Sequence, residues 1–476
     1  MRLIDRLHGL GALGVTCDSR NIKQGEVFAA LPGTVVDGRD YIPQAVENGA
    51  IAVIALPGTV VSGAALIVSD NPRLDYAKAA HYFYPEQPKT LVAMTGTNGK
   101  SSTVEFLRQI WAYAGFNAAC FGTLGVMSSQ GYRPMKHTTP DALALHKTLD
   151  DLAKQGVTHV AMEASSHGLV QYRMDAVNVT VSGFSNLTQD HFDYHDDMND
   201  YFEAKARLFS ELTPEIAPVV INVDGEYGKI LAKRAKAKGQ SIVTVGWSGD
   251  DIRIAELMPH AASQDMTLVI NGKRQKINLP LAGEFQSLNA VAALGLALKT
   301  GVDLEKGLAA LENLKGVSGR LERAGQTKDG APVFIDFAHT EDGLVKLLKS
   351  VRPHTMRKVV IVFGCGGDRD PNKRPKMGAA AAKYADAVIV TDDNPRTENA
   401  ALIREAVMKG CPDAQNIGDR KAAIQTAIAL LGPQDCLVIA GKGHESGQII
   451  GKKVIPFSDV EVAAEFLNEF NEVSAS

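Results

Sequence analysis

The sequence has few cysteines and no long uninterrupted run of hydrophobic residues. Its five cysteines are an odd number among 476 residues, they are widely spaced, and they form no Cys-x-x-Cys pair. This spacing favours reduced, mostly buried thiols in a cytoplasmic protein over a disulfide framework. No apolar run approaches the roughly 20 residues that a membrane-spanning helix requires. The N-terminal stretch MRLIDRLHGL lacks the continuous apolar core of a signal peptide. We therefore expect a cytoplasmic protein without membrane insertion.

The sequence also lacks a large excess of charge of either sign. Its net charge is −4 and it has no run of Lys or Arg, which argues against nucleic acid or an anionic membrane as the main partner. Hydrophobic residues make up 45% and charged residues 22%, as is ordinary for globular proteins. A chain of 476 residues is too long for one hydrophobic core, so we expect about three domains. The expected partners are small molecules, and the expected state is a monomer.

A glycine-rich turn between a strand and a helix is the most informative stretch of the chain. Residues 91–103 read LVAMTGTNGKSST, an apolar strand followed by the turn and by the start of an amphipathic helix. Backbone N–H groups at a helix N-terminus favour an anion, Lys100 adds a positive charge, and the Ser101 hydroxyl can ligate a phosphate-bound magnesium ion. The alternative is a tight turn with an exposed lysine. The pattern favours phosphate binding at Gly96, Thr97, Asn98, Gly99, Lys100, Ser101 and Ser102.

The segment after this loop alternates strands and helices as far as a strand at 219–223. Such alternation predicts a mostly parallel sheet with helices on both faces and ligands at the carboxyl ends of the strands. Glu163 and His191 follow two of these strands within polar, acidic clusters. Because hard oxygen donors suit Mg²⁺, these two residues are candidates to complete a magnesium–nucleotide site. The alternative is that the clusters are helix caps and solvated turns.

Two other regions carry weaker signals. Residues 18–55 predict a small α/β module in which Asp18, Ser19 and Arg20 either hold a nucleotide-like ligand or form a capped turn with an exposed salt bridge. Residues 250–282 predict extra β structure with an Asn-Gly hairpin, and residues 289–300 predict a buried helix.

The C-terminal part predicts a second α/β sheet with strands at 333–337, 359–363, 387–391 and 436–440. Each strand ends in a polar or Gly-rich loop, and the four loops carry Arg369, Arg396, Lys442 and Glu445. Because carboxyl ends of parallel strands share one edge, the loops predict a binding face for a zwitterionic substrate with a carboxylate. The alternative is that each charge simply lies on the surface.

These motifs together resemble the Mur ligases, the ATP-dependent amide-forming enzymes of peptidoglycan synthesis. The resemblance is carried by GTNGKSS at 96–102, EASSHGLVQYR at 163–173, NLTQDHFDYH at 186–195, YFEAKARLF at 201–209, GEFQSLN at 283–289, GR at 319–320 and DFAHTEDG at 336–343. The loops DNPR at 393–396 and GKGHE at 441–445 resemble those of members that add meso-diaminopimelate to UDP-N-acetylmuramoyl-L-alanyl-D-glutamate. Phe337 and Glu341 depart from the family, which more often has Tyr and Pro there.

The resemblance implies three domains: a UDP-substrate module at 1–87, a central ATP-binding domain at 88–317 and a C-terminal amino-acid-binding domain at 318–476. It implies Mg²⁺ as cofactor and ATP as co-substrate, with amide formation through an acyl phosphate. The implied metal ligands are Ser101, Glu163, His191 and a carbamate on Lys205. The implied catalytic residues are Lys100, Lys205 and His191, and Asn289, Arg320 and His339 are implied to contact ATP.

The remaining implied contacts involve the two other substrates. Contacts to the UDP-linked substrate are implied for Ser19, Thr138, Thr139, Ser165, Gln171 and Arg173. Contacts to diaminopimelate are implied for Arg369, Asp393, Asn394, Arg396, Gly441 and Glu445.

Three alternatives stay open from the sequence. One is a Mur ligase that adds L-lysine, and another is a ligase like folylpolyglutamate synthetase, which adds glutamate to folate. A third is a nucleotide-binding regulatory protein that hydrolyses nothing. The Asp18–Arg20 module argues against the folate enzyme, and the charged C-terminal loops argue against a regulatory protein.

Overall fold

The computed structural model describes residues 2–33, 36–190 and 194–473. The protein is α/β, with an N-terminal, a central and a C-terminal sheet. The chain divides into two compact units, Met1–Ile252 with Val291–Gly307, and Arg253–Ala290 with Leu308–Ser476. All five cysteines are free thiols, and four of them are buried, which confirms the expectation from their spacing. Within the described ranges no helix has both the length and the apolar character needed to cross a bilayer.

The N-terminal region is a four-stranded parallel sheet in the order β1-β2-β3-β4. Side chains alternate across it, so that Val27 and Ile54 pack with α1 and α3 while Phe28 and Val53 pack with α2 on the other face. The elements are α1 (Leu3–Gly9), β1 (Gly14–Thr16), β2 (Glu26–Ala29), α2 (Ile42–Glu47), β3 (Ala52–Ala55), β4 (Ala65–Val68) and α3 (Pro72–Phe83), with a 3₁₀ turn at Gly38–Tyr41.

The central sheet within the first unit has the order β12-β11-β10-β5-β9-β6-β7-β8. Its pairings are parallel except those that β7 makes with β6 and β8, and β5 is apolar between its terminal threonines because both of its faces are covered. The elements are β5 (Thr90–Thr95), α4 (Lys100–Tyr113), β6 (Ala118–Gly122), β7 (Gly125–Ser128), β8 (Gly131–Arg133), α5 (Ala142–Lys154), β9 (His159–Glu163), α6 (Ser166–Val170), β10 (Val181–Phe184), α7 (Met198–Arg207), β11 (Pro218–Asn222), α8 (Glu226–Ala237) and β12 (Ser241–Gly246).

The second unit contains the C-terminal sheet in the order β16-β17-β21-β18-β19-β20, parallel except for the edge strand β16. Apolar clusters cover both faces of this sheet. The remaining elements of the chain are β13 (Ile252–Pro259), β14 (Gln264–Ile270), β15 (Lys273–Leu279), α9 (Glu284–Lys299), α10 (Leu304–Leu311), β16 (Glu322–Gln326), β17 (Pro332–Asp336), α11 (Glu341–Val351), β18 (Val359–Phe363), α12 (Lys373–Tyr384), β19 (Ala387–Val390), α13 (Ala400–Met408), β20 (Gln415–Asn416), α14 (Arg420–Ala429), β21 (Cys436–Ala440), β22 (Gly447–Ile450), β23 (Lys453–Pro456) and α15 (Asp459–Val473).

The expected hairpin is confirmed, and three element boundaries differ from expectation. β14 and β15 pair antiparallel around Asn271 and Gly272, both at positive φ. β10 begins at Val181, four residues after the start of the strand that the sequence predicts at 177–182, and the Asn178 N–H donates to the Gln87 side chain instead of to a strand. The sequence predicts one helix over 198–212, whereas α7 ends at Arg207 and passes into a π-helical turn at Leu208–Leu212. α9 begins at Glu284, five residues before the predicted start at 289. The prediction missed these residues because they are mostly polar and lie outside the apolar pattern on which it was based.

The buried His146 makes the stability of the first unit depend on pH. Its side chain lies on α5 with Nε2 3.2 Å from the Asp175 carbonyl oxygen, and burial lowers its pKa to about 4 from 6.5. The folded state therefore binds fewer protons than the unfolded state, so stability is complete above pH 6.5 and falls as the pH drops towards 4.

We expect wild-type protein to lose about 2 kcal/mol more unfolding free energy between pH 7 and pH 5 than His146→Gln does. The introduced glutamine retains an amide donor for the Asp175 carbonyl but does not titrate. Urea denaturation at the two pH values measures the difference. Equal pH dependence in the two proteins would show that His146 does not control acid stability.

Candidate functional site

The glycine-rich turn after β5 forms a loop that leads directly into α4. Gly96 has φ +144° and Gly99, the N-cap of α4, has φ +87°. Side chains are strained in this region of φ, so both positions favour glycine. The backbone N–H groups of Thr97 and Asn98 donate to Asn186, which follows β10. The loop ends at the N-terminus of α4, where the backbone N–H groups of the first helical turn favour an anion.

Lys100 and Lys205 converge on the carbonyl oxygen of Gly96. Lys100 Nζ lies 2.9 Å from this oxygen and Lys205 Nζ lies 3.0 Å from it. Lys205, on α7, is only 1% exposed, and its Nζ lies 4.2 Å from the centroid of the Tyr201 ring. Burial and the neighbouring Lys100 charge lower the pKa of Lys205 well below its usual value. A lowered pKa increases the fraction of the neutral amine, which is the nucleophilic form of a lysine.

Ser101 and Glu163 form a pair of oxygen donors beside this loop. Ser101 Oγ donates to Glu163 Oε1 at 2.8 Å, and the backbone N–H of Thr123 donates to the same oxygen at 2.8 Å. A Cβ at Gly122 would lie 2.1 Å from this carboxylate oxygen, so the carboxylate occupies space that only glycine leaves open.

The chemistry of this pair fits a hard cation such as Mg²⁺. No group of three or more His, Cys, Asp or Glu side chains within the described ranges is arranged to hold a metal ion. His191, the third ligand implied by the resemblance, lies outside the described residues.

Five of the six residues expected at the UDP-linked substrate form one hydrogen-bonded network. Arg173 Nη1 donates to the Thr139 carbonyl at 2.7 Å, and its Nη2 donates to Gln171 Oε1 at 2.7 Å. Ser165 Oγ donates to Thr139 Oγ1, which itself donates to the Glu163 carbonyl oxygen at 2.9 Å. The network is completed by Thr138, whose hydroxyl lies 3.0 Å from that of Thr123.

Within this network the hydroxyls of Thr139 and Ser165 bond to other groups of the protein and stabilise the local structure. The Thr139 hydroxyl is buried with one acceptor and two donors around it, and Ser165 Oγ caps α6 by accepting from the Gly168 N–H. The sequence offers two alternatives for this cluster, ligand contacts or helix caps. One residue can fill both roles here, so the two alternatives do not exclude each other. The network also joins the Glu163 backbone to Arg173.

Ser19, the sixth expected contact, lies apart from that network in the N-terminal region. Its hydroxyl donates to Gln44 Oε1 at 2.7 Å and its side chain is buried. Arg20 forms an exposed ion pair with Asp18, and this pairing lowers the pKa of Asp18 to about 2. For Asp18 and Arg20 the structure therefore agrees with the capped-turn alternative.

The second unit contains the three expected ATP contacts. Asn289 Nδ2 donates to Gln286 Oε1 at 3.1 Å, and Gln286 Nε2 donates to the Arg320 carbonyl at 2.8 Å. The Arg320 guanidinium lies over the Phe337 ring, which also contacts the exposed His339 edge to face. Gln286 thus links two of the predicted residues, although it was not itself predicted.

The loops that follow β18, β19 and β21 bring most of the expected amino-acid contacts together. Arg396 Nη1 donates to the Gly367 carbonyl at 2.7 Å, and the backbone of Arg396 has φ +51°. Within the described chain no residue accepts a hydrogen bond from Arg396 Nε or Nη2. Asn394 Nδ2 donates to Glu445 Oε2 at 2.8 Å.

Three other expected contacts lie in the same loops. Asp393 is buried, and a Cβ at Gly441 would lie 2.7 Å from its carboxylate, so only glycine permits this approach. Arg369 is exposed, and its Nη1 donates to the Asp368 carbonyl.

Lys442 does not present its charge to a substrate, so that expectation is wrong. The side chain is completely buried and its ammonium donates to three protein oxygens. The sequence shows Lys442 at a strand end, but it does not show that the ammonium turns inward.

Asp336 supports two of the expected ATP contacts, although its local sequence has no distinctive signal for this role. Asp336 Oδ2 accepts from the Leu321 N–H and Oδ1 accepts from the Ala338 N–H, both at 2.8 Å, so one carboxylate fixes the turns next to Arg320 and His339. Burial raises the pKa of this carboxyl. Its position at the carboxyl end of β17 is the only sequence signal for such a role.

A fully buried ion pair between Arg420 and Asp459 supports two of the amino-acid loops. The two groups are joined by hydrogen bonds of 2.7 and 2.8 Å, and Arg420 also donates to the carbonyls of Ala440 and Asp392. Those carbonyls immediately precede two expected contacts. The pair was not predicted, because Arg420 and Asp459 each begin a helix far from the loop motifs in sequence.

Three family descriptions match consecutive parts of the chain. "Mur ligase family, catalytic domain" matches residues 13–95, "Mur ligase middle domain" matches residues 94–297, and "Mur ligase, glutamate ligase domain" matches residues 319–443.

Curated relatives match almost the full length of the chain. The UDP-N-acetylmuramoyl-L-alanyl-D-glutamate–2,6-diaminopimelate ligase of Bradyrhizobium diazoefficiens is 47% identical and covers 96% of this chain and 95% of its own. The enzyme of the same name from Caulobacter vibrioides is 48% identical and covers 97% of this chain and 96% of its own.

Solved structures agree with these relatives. A UDP-N-acetylmuramoyl-L-alanyl-D-glutamate–2,6-diaminopimelate ligase structure has 32% identity and a TM-score of 0.75, covering 98% of this chain and 96% of its own. A Mycobacterium tuberculosis folylpolyglutamate synthase complexed with ADP has 19% identity and a TM-score of 0.62, covering 77% of this chain and 91% of its own. At that identity the second likeness concerns the fold alone.

Proposed function

Because this chain belongs to the Mur ligase family, we propose that it is the ATP-dependent ligase that adds meso-diaminopimelate to UDP-N-acetylmuramoyl-L-alanyl-D-glutamate. The reaction belongs to the synthesis of peptidoglycan precursors in the cytoplasm. ATP is the co-substrate, Mg²⁺ is the cofactor, and the enzyme acts as a monomer. The high coverage by diaminopimelate ligases disfavours the lysine-adding and folate-adding alternatives.

The choice of diaminopimelate as the amino acid rests on one observation in the second unit. Two side chains of opposite charge there each have hydrogen-bonding atoms that no described residue uses. Arg396 offers its Nε–Nη2 edge, and Glu445 offers Oε1, which accepts no hydrogen bond from any described residue. A guanidinium edge suits a carboxylate bidentately, and a carboxylate oxygen suits an ammonium. A substrate with both groups on its distal end, as in diaminopimelate, matches this pair, whereas lysine lacks the distal carboxylate.

The chemistry follows from the poor electrophilicity of a carboxylate. ATP phosphorylates the substrate carboxylate, the amine of diaminopimelate attacks the acyl phosphate, and the tetrahedral intermediate collapses to the amide with release of phosphate. The backbone N–H groups at the start of α4 and the Lys100 ammonium hold the negative charge of the transferred phosphoryl group. Asn289, Arg320 and His339 hold the nucleotide in this proposal.

The metal proposal concerns the same region of the first unit. Mg²⁺, when bound, supplies positive charge to the phosphates, and Ser101, Glu163 and His191 are the residues proposed to hold it. The hydrogen-bonded pair of Ser101 and Glu163 supports this assignment. A carbamate on Lys205 is proposed to serve a second magnesium ion, and the lowered pKa of Lys205 supports it.

We propose the domain limits 1–87, 88–317 and 318–476 for the three functional parts. The N-terminal sheet, strands β5 to β12 and the C-terminal sheet each fall within one of these ranges, which supports them, whereas β14 and β15 belong to the second compact unit. The UDP-linked substrate is assigned to Ser19 and to the network around Arg173.

A panel that varies the acceptor and the amino acid tests the proposed function. Phosphate release from ATP is measured with the UDP-muramoyl dipeptide or folate as acceptor, each with diaminopimelate, L-lysine or glutamate. We expect release and amide product only with the muramoyl dipeptide and diaminopimelate. Release with folate and glutamate would support the folate enzyme instead, and release with neither acceptor would contradict the proposed function and the folate alternative alike.

Arg396→Ala is expected to lower kcat/KM for diaminopimelate by roughly 10- to 100-fold, because a charge-assisted pair to the distal carboxylate is worth about 1.5–3 kcal/mol. Activity with lysine should not fall in the same way. Steady-state kinetics with both amino acids measure the difference.

Arg352→Ala is the matched control. Arg352 pairs with Asp386 just before β19, at the opposite end of that strand from the DNPR loop, so its removal should leave both efficiencies unchanged. Wild-type preference for lysine, or unchanged diaminopimelate efficiency in Arg396→Ala, would show that this loop does not select the substrate.

A further inference from the structure

Lys442 is a fully buried cation whose donors are all used inside the protein. Its Nζ lies 2.7 Å from the Gly447 carbonyl, 3.0 Å from Glu445 Oε2 and 3.2 Å from Asn394 Oδ1. An ammonium has three N–H groups, so these three acceptors take its full donor capacity. Lys442 therefore has no hydrogen bond left for a substrate. Any effect that it has on a substrate comes through the protein groups to which it donates.

The first group that it holds is the Glu445 carboxylate. Oε2 accepts from both Lys442 and Asn394, whereas Oε1 accepts from no residue in the described part of the chain. Oε1 is therefore the oxygen that is left to accept from a ligand ammonium. The Asn394 amide is equally fixed, because its Oδ1 accepts from Lys442 and from the Ile449 N–H at 2.9 Å. Asn394 thereby acts mainly as a spacer between the buried cation and Glu445.

The second group that it holds is the start of the β22–β23 hairpin, through the Gly447 carbonyl. This hairpin in turn holds Arg396: the Arg396 N–H donates to the Ile449 carbonyl at 3.0 Å, and the Arg396 carbonyl accepts from the Gly451 N–H at 2.7 Å. Arg396 needs such support because φ +51° is unfavourable for a residue with a side chain. The ammonium thus connects to both open charged groups, Glu445 directly and Arg396 through β22.

We propose that Lys442 is a positioning residue that sets the amino-acid specificity, by fixing the Glu445 carboxylate and, through β22, the backbone of Arg396, so that both charged groups are in place for one ligand. The inference rests on the proposed function and adds a residue to it. A ligand with only one of the two groups gains little from the fixed spacing, whereas diaminopimelate uses both.

The test is Lys442→Met, which keeps the length and apolar stem of the side chain and removes the ammonium. We expect KM for diaminopimelate to rise roughly 10- to 100-fold, the effect typical of losing a charge-assisted hydrogen bond. KM for ATP and kcat should change by less than about 3-fold, and the preference for diaminopimelate over lysine should fall with the rise in KM. Lys421→Met is the matched control, because Lys421 is exposed on α14, where its ammonium pairs with Glu465 and lies over the Phe466 ring.

A second variant separates positioning from simple loss of stability. Lys442→Ala leaves space for a small amine, so added ethylammonium should restore diaminopimelate affinity while ethanol of the same size should not. Thermal melting establishes that each variant is folded.

Two results would overturn the inference while leaving the proposed function intact. One is an unchanged diaminopimelate KM in folded Lys442→Met, and the other is an equal loss of kcat and ATP affinity without rescue by ethylammonium. A wild-type enzyme that shows no preference for diaminopimelate would instead overturn the proposed function itself.

Discussion

Replacing Lys100 with alanine is expected to abolish ligation while leaving the fold intact. The Lys100 side chain is half-buried at the first residue of α4, where its ammonium bonds to the carbonyls of Gly96 and Thr97. In the proposed function it supplies the positive charge of the loop at the place where the phosphoryl group is transferred. Losing a cation that stabilises such a transition state lowers kcat by roughly 10³- to 10⁵-fold in related phosphoryl transfers.

The measurement is single-turnover formation of the amide product, with thermal melting to establish folding. Lys147→Ala is the matched control, because Lys147 is an exposed lysine on α5 in the same unit. The control should retain wild-type turnover. A folded Lys100→Ala protein with near-normal turnover would refute the assignment of this loop to ATP phosphates.

The parts of the fold and site that could be predicted from the sequence are those whose signal is local. The phosphate loop is one example, because its strand, glycines and helix lie within residues 90–113. The C-terminal sheet is another: β18 and β21 have their predicted bounds, since each strand is a short apolar run that ends at a polar loop.

The parts that could not be predicted depend on contacts between distant segments. Lys205 reads as a surface helix lysine in its local sequence, yet it is buried against a carbonyl 109 residues away. Lys442 reads as a substrate charge at a strand end, yet its ammonium turns inward to a residue 48 positions earlier. Periodicity and motif spacing do not describe such pairings. The resemblance to Mur ligases implied a role for Lys205 but none for Lys442.

Lys205→Ala is expected to be nearly inactive and to recover partly when a short carboxylate such as acetate is added. The reason is that the neutral amine of Lys205 can add to carbon dioxide, forming a new N–C bond and releasing one proton, to give a carbamate anion. Burial and the Lys100 charge lower the pKa of this amine, which favours the neutral form that adds to carbon dioxide. In the alanine variant a small free anion can occupy the vacated space and supply the missing carboxylate oxygens.

The assay compares turnover of wild-type, Lys205→Ala and Lys205→Arg, each with and without acetate. The guanidinium of Lys205→Arg is always charged and cannot form the carbamate, and its longer side chain fills the space, so this variant should stay inactive in both conditions. Wild-type turnover should also fall in buffer depleted of carbon dioxide and return with bicarbonate. Full activity of folded Lys205→Ala without acetate would show that Lys205 has no part in the reaction, because neither its amine nor its carbamate would then be needed.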